Sequence, residues 1–390
     1  MNPVSAKLFN NMHDAQRWPV LCSMDVHDDS TYLAVLDCRT GAVLKDCRIM
    51  GSYKKAAKHL DALGPRKQVM VLVESGPHGF APHRYFTSLR YLTRTIATSS
   101  IPKRPKDQKK KTDRDDAWNN LHYHSSGILR YCVPPTFEDE CVRDCLRARQ
   151  RTVHQITRQK QEILSLVKRQ GLEFTETKTN WTQAHLKWLR TVELNAATRQ
   201  LINASLESID MLKRQEQLFL HQVNQYLDTH LEHKYLRQYY EILPGVGRIV
   251  SATLILEAGQ LSRFGHPKPV MMYSGLLPGK RQTGRKDPVV SITKEGNKYF
   301  RTALICMAKF YRDYRFLKSE KDLAKLPEEL ASFIRRCQSR LNKRYRWLRG
   351  NGKNANKATA AVAREMCGFL WEYVNRTIPN IELDTLRKAA

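Results

Sequence analysis

Hydrophobic positions divide this chain into two kinds of pattern. Before about residue 100 they come in short runs broken by turn residues; after about residue 137 they recur every three or four positions. Segments 19–26 (PVLCSMDV), 31–37 (TYLAVLD) and 42–48 (AVLKDCR) predict three strands. The short turn segments HDDS and CRTG between them predict an antiparallel meander. Segment 53–63 (YKKAAKHLDAL) predicts an amphipathic helix. VMVLVE at 69–74 is continuously apolar, as a central strand covered on both faces would be. A helix near 80–90 and a strand near 92–97 follow.

The order strand, strand, strand, helix, strand, helix, strand is that of the ribonuclease H-like α/β fold. Next comes PKRPKDQKKK (102–111), a Pro-broken basic run expected to form a loop, with Lys109 and Lys110 as candidate nucleic-acid contacts. Thr112 and Asp113 supply the N-cap chemistry for a helix. From 137 to 170, Val153, Ile156, Ile163, Leu164 and Val167 form an apolar stripe on a basic helix. After a break at 171–181, segment 183–235 is helical again, with Leu201, Ile202, Leu206, Ile209, Leu212, Leu218 and Leu220. Its periodicity fits a coiled-coil hairpin and a helical bundle equally. Segment 243–259 is Gly-rich and followed by helix. Segment 270–300 predicts turns and short strands. Segment 300–376 reads as mostly helical, interrupted at 349–357.

Charge changes the picture more than composition does. Lys and Arg total 66 against 38 acidic residues, a net charge of +28. That excess points to a polyanionic partner, most commonly nucleic acid. No run approaches the ~18 apolar residues of a membrane span, and the N-terminus lacks a signal core. The nine cysteines are an odd number without a C-x-x-C pair. They are expected to be reduced thiols in a cytoplasmic protein with no membrane partner.

Four carboxylates carry candidate chemistry. Asp25 and Glu74 end the first strand and the central apolar strand, and a charge at a strand end suggests work at the sheet's rim. Asp113 and Asp116 stand three apart on a helix, hence on one face. In a ribonuclease H-like sheet these elements converge. Clustered carboxylates repel unless a cation neutralises them, and oxygen ligands suit Mg²⁺ or Mn²⁺. Two such ions are expected, clamping the attacking and leaving oxygens of a phosphoryl transfer. Asp28, Asp29 and Asp115 are the neighbouring decoys.

Basic and Gly-rich segments offer nucleic-acid contacts. LPGVGRIVSATLI resembles a helix-hairpin-helix whose Gly245 and Gly247 let the backbone approach a phosphate. Ser274, Thr283, Ser291 and Thr293 supply hydroxyls nearby, with Arg281, Arg285 and Lys286 around Thr283. Such cations stabilise a scissile phosphate, although an isolated loop Thr is ordinarily structural. In RLNKRYRWLR, Tyr345 and Trp347 interleave with Lys343, Arg344, Arg346 and Arg349. That mix suits RNA or single-strand contact, and equally an amphipathic helix with its aromatics in the core.

Taken together, SMDVHDDSTYLAVLD, VLVESGPHGF, KTDRDDAWNN, ILPGVGRIVSATLILEAGQLSRF, YSGLLPGKRQTG and SITKEGNKYFRTAL resemble IS110/IS1111-family transposases, the DEDD recombinases. GNGKNANKATAAVAREM is a weaker match. The resemblance spans roughly residues 20–375. It implies a RuvC-like catalytic domain (1–130) whose acidic tetrad is Asp25, Glu74, Asp113 and Asp116. A helical or coiled-coil region (131–237) and a mainly helical C-terminal transposase domain (238–390) complete the expected division. Residues 317–340 read as an insertion relative to typical relatives. The resemblance also implies double-stranded DNA as substrate, a structured noncoding guide RNA, and dimers or tetramers. Family members carry a serine nucleophile just before a glycine. Here Gln282-Thr283-Gly284 stands at that place. Three readings stay open: Thr283 is the nucleophile, Ser274 or Ser291 replaces it, or the chain binds nucleic acid without exchanging strands. A metal-dependent junction nuclease is the competing function.

Overall fold

A computed structural model describes residues 18–102, 112–279 and 291–379. Strands β1 (Val20–Val26), β2 (Ser30–Asp37) and β3 (Val43–Met50) form the predicted meander, with β1–β2 and β2–β3 both antiparallel. Helix α1 (Ala56–Asp61) leads to β4 (Val69–Glu74), which pairs parallel to β1. Helix α2 (Ala81–Ser88) leads to β5 (Leu92–Ile96), parallel to β4. Helix α3 (Asp113–Ser125) then precedes a two-residue strand, β6 (Tyr131–Cys132), antiparallel to β5. The sheet order is β3-β2-β1-β4-β5-β6. This six-stranded mixed sheet and a mostly helical remainder make the chain α/β plus α.

Strand alternation assigns the two faces. Cys22, Met24, Val71 and Val73 pack with Ala57, Leu60 and Phe86 on one side. Leu21, Met70 and Leu72 pack with Ala117 and Leu121 of α3 on the other. Both faces of β1 and β4 are therefore covered, which explains the unbroken apolar run Val69–Val73 in β4.

The chain divides into two compact units between Pro135 and Thr136. In the second, α4 (Phe137–Arg169) is followed by α5 (Gln183–Thr191) and α6 (Ala196–Thr229). Helices α4 and α6 run antiparallel. Asp139 accepts from Tyr226 at 3.0 Å, and Arg149 pairs with Glu216 at 2.5 Å. Ile156, Ile163 and Val167 meet Ile202, Leu206 and Ile209 in a core of their own. Leu201 and Leu218 are exposed instead, off the buried stripe.

Helices α7 (Leu231–Ile242), α8 (Arg248–Ala258), α9 (Pro267–Ser274), α10 (Lys298–Phe310), α11 (Glu320–Leu323), α12 (Glu328–Gly350) and α13 (Ala355–Glu372) follow. Most of them share one larger core, including Leu254, Phe300, Leu304, Ile334, Val362 and Met366. The expectation of turns and short strands over 270–300 needs correction. Pro267 opens α9, which runs to Ser274, and among the described residues of 270–300 strand pairing is reduced to one bridge, Pro278 to Ile292. Pro fits the first helical turn, where no donor is needed.

Candidate active site

Register brings Asp25 and Glu74 side by side. The β1–β4 ladder ends at Met24 opposite Val73, so the next step sets Asp25 beside Glu74. Met24 and Val73 face the α1–α2 side. Alternation therefore turns Asp25 and Glu74 to the opposite face, which α3 covers.

Helix α3 begins where its cap dictates. The Thr112 side chain accepts from the Asp115 amide, and Asp113, Asp115 and Asp116 fill the first turn, where the helix dipole favours negative charge. Thr112 also donates to the Asp115 carboxylate at 2.7 Å, which gives this decoy a capping role. A cross-sheet anchor holds the helix. Asp46 on β3 accepts from Arg114 Nη2 at 2.6 Å, Trp118 Nε1 at 3.1 Å and Tyr32 Oη at 2.7 Å. Arg114 and Trp118 are one helical turn apart, so the anchor fixes the rotation of α3 as well as its position.

Ligand-type atoms of Asp25, His27 and Asp113 lie within 4.8 Å of one another. His27 Nε2 is 3.2 Å from Asp25 and 3.4 Å from Asp113, and Arg48 donates to Asp113 at 2.8 Å. Burial pushes the Asp25 carboxyl up; His27 opposes this, and the charges of Asp113 and Asp116 add to it. Burial pulls His27 down, but Asp25 and Asp113 outweigh it and the imidazole is raised. Of the four expected carboxylates, Asp25 and Asp113 belong to this cluster of atoms. Asp116 acts on Asp25 through its charge, and Glu74 is its strand neighbour. His27, Arg48 and Asp46 were not expected. The one sequence signal for His27 is its spacing of two from Asp25, at a strand end.

In the second unit, the turn between α7 and α8 holds Gly245 at φ +78°, and a Cβ there would stand 2.7 Å from Phe310 Cδ2. Gly247 is open and N-caps α8. Ser274 is fully buried and its hydroxyl donates to the Met271 carbonyl at 2.7 Å, so a DNA phosphate has no access to it in this fold. Ser291 is exposed, and its carbonyl accepts from Gly279. Residues 275–279 and 291–297 run back to back, and a buried network fastens their base. Arg147 clamps Glu257 with two 2.7 Å bonds, and Asn297 donates to the same carboxylate at 2.7 Å. Asn297 also caps α10 through the amides of Tyr299 and Phe300. Arg344 pairs with Glu365 at 3.1 Å, whereas Arg346 is exposed. Lys109, Lys110, Arg281, Thr283, Arg285 and Lys286 lie outside the described residues. No helix among the described residues is long and apolar enough to cross a membrane.

Comparison with known proteins gives this geometry its setting. Residues 238–318 match the model of the family described as "Transposase IS116/IS110/IS902 family". The chain is similar to "Putative transposase y4qE" of Sinorhizobium fredii, at 31% identity over 78% of this chain and 75% of that protein. It is also similar to the transposase for insertion sequence element IS1111A of Coxiella burnetii, at 22% identity over 91% and 90%. The transposase for insertion sequence element IS1533 of Leptospira borgpetersenii is 29% identical over 45% of this chain and 51% of its own length. The chain belongs to the IS110 family of insertion-sequence transposases. Such enzymes cut and rejoin DNA.

Proposed function

We propose that this transposase cuts DNA at a divalent-cation site formed by Asp25, Glu74, Asp113 and Asp116, on a ribonuclease H-like (RuvC-like) sheet. The observation that carries the reading is the convergence itself. Two strand-end carboxylates share the sheet face covered by α3, and Asp113 of that helix reaches the Asp25–His27 pair. The donor set fits Mg²⁺ or Mn²⁺, because carboxylate oxygens dominate it and Asp25 is raised in part by neighbouring acids. When bound, one or two such ions supply Lewis-acid stabilisation of charge on the phosphate oxygens. Asp25 and Asp113 orient the site, and Asp46 holds α3 in register.

Thr283 is the proposed nucleophile. Its hydroxyl oxygen forms a bond to phosphorus as the bond to one deoxyribose oxygen breaks, and the hydroxyl proton ends on the released sugar oxygen. The reverse reaction rejoins strands without an external energy source. Arg281, Arg285 and Lys286 steady the phosphate. The turn at Gly245 and Gly247, read as helix-hairpin-helix-like, and Lys109, Lys110, Arg344 and Arg346 contact nucleic acid. A structured guide RNA, a homodimer or homotetramer, and a division of the helical part near 237 complete the reading. Family resemblance and the +28 charge support the RNA.

Asp25→Ala or Glu74→Ala is expected to abolish cutting of the element's ends in Mg²⁺ while DNA binding persists. Wild-type cutting by either variant would overturn the carboxylate site. Trapped reactions are expected to carry DNA on Thr283, and Thr283→Ser to keep or raise activity. Cut ends bearing a free 5′-phosphate and no adduct would favour a junction nuclease. Specific co-purification of one RNA supports guidance; random cellular RNA counts against it.

A further inference from the structure

The second unit exposes a cluster of aromatic rings that its large core did not absorb. Phe310 is 41% exposed, Tyr314 54%, Phe316 56% and Trp347 59%. Burying rings of this size stabilises a fold, so a contiguous exposed group marks a surface kept for a partner. Phe310, Tyr314 and Phe316 lie together, and Trp347 stands on α12 next in sequence to Arg346. Phe310 and Phe316 meet edge to face with centroids 5.8 Å apart. Tyr314 and Phe316 share one 3₁₀ turn, Tyr314–Phe316, which Asp313 caps through the Arg315 amide. The Arg346 guanidinium on α12 lies 5.7 Å from the Tyr314 ring, and Arg344 covers Trp347 at 4.8 Å.

Charge selects among occupants. The acids nearby are spent: Asp313 on Arg315 at 2.6 Å, and Glu365 on Arg340 and Arg344 at 3.1 Å each. Among the described residues no carboxylate pairs with Arg346. The patch is therefore aromatic and net positive. A second copy of the chain is a poor occupant, because a two-fold contact sets each patch against itself and brings like guanidiniums together. Duplex DNA hides its base faces, so the rings gain nothing from it. An unpaired strand offers both complements: base faces to stack on the rings and phosphates for Arg346. The Gly245 turn, which leads into α8, packs against Phe310.

We infer that Phe310, Tyr314, Phe316, Trp347 and Arg346 form a platform for an unpaired DNA strand of the kind a transposase releases when it opens and cuts a duplex. DNA is the occupant because family membership makes DNA the substrate. The inference goes beyond the carboxylate site and does not depend on it.

The test is made on the full chain in EDTA, with a labelled oligothymidylate of about 15 nucleotides and a duplex of equal length. The triple variant Tyr314→Ala, Phe316→Ala, Trp347→Ala leaves Phe310 on its glycine. It is expected to bind the single strand at least about ten-fold more weakly, because each lost stacking contact weakens binding severalfold or more. Duplex affinity should stay within about two-fold. Exchanging the same rings among Phe, Tyr and Trp should keep the binding, since any aromatic face stacks. Arg346→Ala should lower the slope of log affinity against log salt by about 0.7. Unchanged single-strand binding in the triple variant overturns the platform, as does an equal loss for duplex. Tighter binding of an oligouridylate through the same rings overturns DNA as the occupant. A change of oligomeric state with strand binding intact assigns the face to a second copy and overturns the inference too.

Discussion

The Nε2 of His27 lies 3.2 Å from the Oδ2 of Asp25, and once protonated the imidazole supplies the rim of the sheet with a counter-charge from within the chain. The same nitrogen is 3.4 Å from Asp113. A cation bound by the two carboxylates makes that counter-charge redundant. His27→Ala should therefore lower the melting temperature in EDTA by about 1–3 °C, the modest effect of an exposed pair. Mg²⁺ should narrow the difference. A gap that Mg²⁺ leaves unchanged would mean that His27 acts independently of the site.

Asp46 fixes the helix that carries Asp113 and Asp116. Arg114 holds its carboxyl at about 2, with Tyr32 and Trp118 assisting against the cost of burial. A carboxyl depressed in the fold stabilises above its unfolded value near 3.8 and loses that contribution as pH falls toward 2. Asp46→Asn should cost about 1 kcal/mol at neutral pH and nearly nothing near pH 2, measured by denaturant unfolding. Cutting should fall further than stability alone explains, because α3 loses its anchor. A cutting rate equal to wild type in the folded variant would free Asp46 of that role.

At the base of the 275–297 segment, Gly275 and Gly296 lie at φ +64° and +121°. A Cβ would stand 2.5 Å from the Glu295 carbonyl oxygen at the first and 2.3 Å from the Tyr273 carbonyl oxygen at the second. These neighbours are backbone and give way poorly. Gly296→Ala should cost about 1–3 kcal/mol or more by thermal unfolding, and Gly64→Ala, where no atom crowds the site, clearly less. Equal costs would show that only φ matters.

Arg147 neutralises a buried carboxylate at Glu257. Arg147→Ala leaves that charge unpaired and should destabilise the second unit by about 3 kcal/mol. Replacing both residues, Arg147→Met with Glu257→Gln, should recover part of the loss, because no buried ion then remains. A double variant as unstable as the single one would contradict the pairing.

Legibility followed the range of the interaction. Asp25 and Glu74 stood out because apolar strands ended on them, and Thr112 because capping is local. Strand β4 was readable for a related reason: both its faces are buried, so hydrophobicity ran unbroken from Val69 to Val73. Asp46 was not readable. It lies inside an apparently ordinary strand, and its partner Arg114 is 68 residues away. Arg48 meets Asp113 over 65 residues and is equally silent. Helix α9 was hidden by flanking Pro and Gly, which signal turns yet also suit a helix's first turn and its left-handed end. Leu201 and Leu218 share the helical period without sharing the buried stripe, since α6 faces α4 on one side.

DNA cutting by Asp25→Cys in Mg²⁺ and in Mn²⁺ tests the central claim most directly, because a thiolate is a poor ligand for Mg²⁺ and a more acceptable one for Mn²⁺. The account predicts cutting at least about a hundred-fold slower than wild type in Mg²⁺, as for loss of one charged transition-state contact, with partial recovery in Mn²⁺. Wild-type rates for Asp25→Cys in Mg²⁺, or undiminished cutting by the wild-type chain in excess EDTA, would contradict it.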